Sequence, residues 1–258
     1  MRVVTSATAL AWVSVLELVM LAPALALGGT PHVVTGSTLA WLIVSGVTST
    51  MASFFAYAAM KRGKVGIVAP IISIEGGIAA LIAVLGGEHL AMSTVAVLIV
   101  VTVGVMIASV AKGHGSELGN PALASILAVM CAASSGTNLY AVGRLSTELS
   151  IAWTLLPAKA VSALIFTVPL LVARRMRISR WVALLALFAG AGELLGFGAY
   201  AYGSRHGIAV TAVTASLFAP LAAVCAFLLF RDRLSRLQIL GVTTVAVGVA
   251  VLAGLNPS

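Results

Sequence analysis

Charge is what this chain has least of. Asp, Glu, Lys and Arg make up 9% of its 258 residues, where a soluble domain carries about 25%. Apolar residues make up 61%, and so few charges cannot solubilise them. A soluble globular enzyme, a disordered tail and a nucleic-acid-binding module are thereby excluded. Cysteine is nearly absent as well. Cys131 and Cys225 sit inside apolar runs, far from any ligand spacing, so no disulfide framework and no metal site follow. The four histidines (His32, His89, His114, His206) fall in loops or at the ends of runs. There is no H-E-x-x-H, paired-cysteine or phosphate-loop motif, and no cofactor is expected.

What the chain has instead is length of apolar sequence. A bilayer core of about 30 Å needs roughly 20 apolar residues per helix. Nine such runs are bounded by charges, prolines and glycines: 3–27, 39–60, 65–86, 91–111, 121–141, 151–173, 181–203, 207–230 and 237–255. They are apolar all round rather than alternating, which predicts an all-α polytopic membrane helix bundle and not a membrane barrel. The connections are short, and only 112–120 reads as a linker. Arg2 and Ala24-Leu25-Ala26 resemble a cleavable signal peptide, but the length of the first run and Glu17 in its middle favour a retained helix.

The positive residues set an orientation. With the N-terminus inside, twelve Lys and Arg residues fall in inner segments; only Arg144 and Arg205 fall in outer ones, and Lys159 is intramembrane. Under the positive-inside rule this predicts a cytoplasmic N-terminus and an outside C-terminus. The net charge of +8 therefore reports loop topology.

Sliding the chain by 140–144 residues aligns Ala11-Trp12 with Ala152-Trp153, Trp41 with Trp181, and Ala56-Tyr57 with Ala199-Tyr200. Glu88 then meets Asp232, and Gly104-Val105 meets Gly248-Val249. Five spans separate each matched pair, so the two copies are predicted to be inverted, as in many secondary transporters. The first repeat, 1–111, holds four spans and the second, 121–258, holds five. The partner of 121–141 would lie upstream of Met1, which implies either an earlier start codon or a lost helix.

This layout resembles the EamA-type members of the drug/metabolite transporter superfamily, normally ten helices in two repeats. The stretch from Tyr57 through Lys61-Arg62-Gly63 to Pro70 resembles the family's passage from third to fourth helix. Gly87-Glu88-His89-Leu90 resembles its Gly-Glu at the end of the fourth helix, and Gly104-Val105 its fifth-helix pattern. In the second copy the passage runs from Tyr200 to Pro220, with Arg231-Asp232-Arg233 where Gly-Glu is expected. Two features depart from the family pattern: the missing first helix, and an orientation opposite to the usual one counted in family helices. The resemblance implies transport of small molecules; it does not carry over a direction.

Four ionisable residues lie within the runs: Glu17, Glu75, Lys159 and Glu193. Such residues are costly in lipid and are functional candidates by default. Glu17 and Lys159 occupy matching depths of matching helices with opposite charge. They form either a substrate-binding or gating pair, or a structural salt bridge. Glu193, Phe197 and Tyr200 share one helix face, a combination suited to an amine, an amino acid or an aromatic cation. The alternative for Glu193 is a hydrogen bond within the packing. Glu75 follows Pro70 and precedes Gly76-Gly77, a sequence able to break a helix near a carboxylate; its plain alternative is an ordinary proline kink. Asn138, beside Ser134 and Ser135, and Tyr57, at the end of the Ser45, Ser49, Ser53 stripe, complete the expected substrate or ion cavity. Serines in such helices more often bond their own backbone.

The sequence thus predicts a multi-pass transporter of small solutes in a plasma or inner membrane, with protons as a coupling ion and a homodimer as further partners to test. A lipid-modifying enzyme using Glu75 or Glu193, and a non-transporting scaffold, are the alternatives.

Overall fold

A computed structural model describes residues 6–27, 34–63, 65–108, 121–172, 180–217 and 236–255. Among the described residues every regular element is an α-helix: α1 (Ser6–Leu27), α2 (Gly36–Arg62), α3 (Val65–Ile72), α4 (Glu75–Leu85), α5 (Met92–Ala108), α6 (Pro121–Ser146), α7 (Ile151–Val172), α8 (Arg180–Gly203), α9 (Ile208–Ala215) and α10 (Arg236–Leu255). The protein is a polytopic membrane helix bundle. Among the described residues five stretches are long and apolar enough to cross a bilayer: Gly36–Arg62, Ile67–Leu85, Ala122–Ser146, Ile151–Val172 and Arg180–Gly203. Several features expected from the sequence lie outside the described residues: the linker 112–120, His32, His114, Cys225, the Arg231-Asp232-Arg233 motif, some of the twelve inner basic residues (Arg174, Arg175 and Arg177 among them), and positions 218–230 of the eighth run.

A helix in hydrocarbon satisfies its backbone internally, and its hydroxyls must do the same. Thr48, Thr50, Thr102 and Thr154 each donate to the carbonyl four residues back, at 2.7–3.1 Å. The run 65–86 is two helices rather than one. Ser73 bonds Ala69 O through both its amide (3.0 Å) and its hydroxyl (2.8 Å), Ile74 N tightens onto Ile71 O, and α4 restarts at Glu75. The break therefore falls between Pro70 and Gly76-Gly77. At the other end of α4, Gly87 takes φ of 101°, a left-handed turn that glycine adopts without strain.

The chain divides into two compact units. The first comprises residues 1–50 and 141–205, the second 51–140 and 206–258. Within the first, α1 packs on α7 and α8. Within the second, α4 packs on α9 and α5 on α10. Small residues permit these approaches. A Cβ on Gly76 would stand 2.5 Å from Ala212 O, and one on Gly241 would stand 2.3 Å from Ala108 N.

Candidate functional site

The first unit contains a three-membered charge cluster. Lys159 lies on α7 two residues beyond Pro157. Its Nζ donates to Glu17 Oε1 of α1 at 2.8 Å and to Glu193 Oε1 of α8 at 2.5 Å. Lys159 and Glu17 are buried, at 6% and 2% exposure. The Glu193 side chain is 46% exposed. One turn along α8, the Phe197 ring centroid lies 5.3 Å from the same Nζ, within cation–π range. What lets α8 come this close is Gly190, where even a Cβ would sit 3.1 Å from Glu17 Cγ.

Two carboxylates on one ammonium leave the fully ionised cluster with one surplus negative charge. Glu17 has its oxygen committed to Lys159 in a site shut off from solvent. Glu193 shares the same ammonium but keeps an accessible side. That geometry can take up a second, external cation beside an aromatic ring, and it can do so without opening the Glu17–Lys159 bond. Tyr200, two turns beyond Glu193 on α8, is buried at 4% exposure.

The remaining expected residues belong to the second unit. Glu75 opens α4, and the Ser135 hydroxyl of α6 is hydrogen-bonded to its carboxyl. Gly136, the next residue, brings α6 against the Glu75 carbonyl: a Cβ there would lie 2.8 Å from it. One turn back, Cys131 is engaged with the Ala56 backbone of α2. Asn138 is buried at 4% exposure, and Tyr57 is 45% exposed. The eight expected residues are therefore found as two sets, each within its own unit, with Glu17, Lys159, Glu193 and Phe197 in mutual contact in the first.

One functional role was not anticipated. The Glu88 carboxylate accepts from the amides of Ile208 (3.1 Å) and Ala209 (3.2 Å), capping α9 from 120 residues away. A signal for it did exist. Gly207 precedes α9 and has no side chain to cap the helix, so an acid from elsewhere is called for at this positive helix end. Glu88 and His89 also line a polar cavity of about 540 Å³, together with Ser93, Thr94, His206 and Thr211. Among the described residues, no group of three or more His, Cys, Asp or Glu side chains could hold a metal ion.

No curated protein sequence matches the chain. The fold has solved counterparts. One crystal structure, 17% identical, matches over 96% of this chain and 86% of its own, with a TM-score of 0.70. The model of the EamA-like transporter family matches residues 122–254, just over half of the sequence. The matched segment carries Lys159, Glu193 and Phe197 of the charge cluster, and also Ser135 and Asn138 of the second set. This chain belongs to the EamA-like transporter family.

Proposed function

We propose that the protein moves small polar or amphipathic solutes, those bearing a cationic group foremost, by alternating access. The repeats 1–111 and 121–258 are read as inverted copies that rearrange about a site near the bilayer midplane. The solute site is assigned to Glu193 and Phe197, backed by the Lys159–Glu17 pair. A single observation carries this reading: a carboxylate beside an aromatic ring, already sharing its ammonium with a buried acid and still accessible. Amines, amino acids and aromatic cations match that combination of charge and π-face. Short loops and the basic inner segments support a plasma or inner membrane with the N-terminus inside and the C-terminus outside. Protons are the proposed coupling ion, and a homodimer is a further assembly to be tested by cross-linking in native membranes.

The test is a thermal-shift screen of the purified protein in detergent against amino acids, polyamines, nucleosides and aromatic cations, repeated with Glu193→Gln. A compound that stabilises the wild type but not the variant supports the assignment and gives the substrate class. Equal stabilisation of both proteins would remove Glu193 from the solute site.

A further inference from the structure

The two intramembrane acid sites are accommodated by different means. Glu17 and Glu193 share one ammonium. Among the described residues Glu75 has no ion-pair partner: the ion pairs there are those of Lys159. The described helices around it offer none. α3, α5 and α9 carry no ionisable side chain along their whole lengths. On α6 the facing ionisable group is Cys131, which is engaged with the Ala56 backbone. Arg144 lies nine residues beyond Ser135, about 13 Å along the helix axis. Lys61 and Arg62 lie at the exposed end of α2, five and six residues past Ala56.

A carboxyl in hydrocarbon is accommodated by a counter-charge or by a proton. With no counter-charge among the described residues, the proton remains. The partner that Glu75 does have suits both states. A serine hydroxyl can donate to a carboxylate and accept from a carboxylic acid, which an ammonium cannot. Ser135 can therefore stay bonded while the proton comes and goes. Placement adds a consequence. Glu75 is the first residue of α4 and adjoins Gly76, which the Ala212 carbonyl approaches so closely that no side chain fits. A change of charge there falls beside a close approach of α9 to α4.

We infer that Glu75, held by Ser135 at the α3–α4 break, is a proton-binding site distinct from the Lys159 cluster, and that it carries the coupling proton. The coupling half rests on the transport reading above; the proton-binding half does not.

The experiment takes the full chain in liposomes and records infrared difference spectra between acidic and alkaline buffer. The proton is the probe, and the carbonyl stretch of a protonated carboxyl is the readout. The wild type is expected to show a titrating band component that Glu75→Gln loses and that Glu17→Gln and Glu193→Gln retain. Ser135→Ala keeps the acid but removes its partner, so the band should move to higher frequency; this arm stands even if Glu75→Gln fails to fold. A band undiminished in folded Glu75→Gln, a band unmoved by Ser135→Ala, or a band abolished by sodium at constant pH would each overturn the inference. A dye inside the same vesicles then reports proton movement when lysine, spermidine, adenosine or ethidium is added outside. Solute-driven proton movement in wild type that is absent in Glu75→Gln supports coupling at this residue. Silence in wild type with the band intact defeats the transport reading and leaves the proton site standing.

Discussion

Replacing Lys159 with methionine tests the charge cluster most directly. Methionine keeps most of the side-chain length and removes the charge. Two carboxylates that shared one ammonium at 2.8 and 2.5 Å would then face each other, one of them on a residue only 2% exposed. Removing one partner of a buried ion pair costs about 3–5 kcal/mol, because the remaining charge stays buried without compensation. At roughly 2–4 °C per kcal/mol for a chain of this size, the midpoint should fall by about 6–20 °C in a detergent melting assay. The double variant Lys159→Met/Glu17→Gln removes the more buried of the two stranded acids and should recover at least half of that loss. The exchange Glu17→Lys/Lys159→Glu keeps one ammonium among two carboxylates and should also restore folding. If Lys159→Met melts within about 0.5 kcal/mol of wild type, as an unremarkable surface change would, the buried cluster is refuted. If the exchange restores melting but abolishes ligand stabilisation, the pair does more than neutralise itself.

Other substitutions should behave differently. Glu193→Gln affects a group nearly half exposed and should cost no more than about 1 kcal/mol, while the response to cationic ligands in the thermal screen is lost. Gly241→Ala forces a methyl against the Ala108 backbone at 2.3 Å, so α5 and α10 must separate; a loss of about 1–3 kcal/mol should appear in the same melting assay. Glu88→Ala removes the acceptor for Ile208 N and Ala209 N, at about 0.5–2 kcal/mol. Hydrogen exchange should show faster exchange at those two amides, with the remainder of α9 less affected.

Much of the fold was legible because lipid leaves a chain few options. Apolar runs of membrane length must be helical, and their described parts are. Even the interruption of 65–86 is written locally, in Pro70, Ser73 and the pair Gly76-Gly77. The candidate site was legible wherever a periodicity pointed to it. The repeat offset placed Glu17 and Lys159 at equal depth, and helical spacing put Glu193 and Phe197 on one face. That both acids share one ammonium depends on how closely α8 approaches α1 at Gly190, a three-dimensional quantity with no local trace. The Glu88 cap was only half legible: Gly207 marks a helix start that lacks its own capping side chain, but nothing local tells which acid, 120 residues away, supplies the cap.

The two acid sites also differ in what each can exchange. At the Lys159 cluster the ammonium holds one side of the Glu193 carboxylate and leaves the other accessible. An external cation can meet that side, where the cluster carries a surplus negative charge when ionised. At Glu75 the balance is reversed. Its described partner is a serine hydroxyl rather than a charged group, and the helix backbones beside it are held too close for an added carbon at Gly76 or Gly136. Charge thus favours a solute at Glu193 and a proton at Glu75. Ligand stabilisation should then survive in Glu75→Gln and fail in Glu193→Gln, with the titrating carboxyl band showing the opposite dependence. If one substitution abolished both readouts in a folded protein, the two roles would belong to a single site and this division would be wrong.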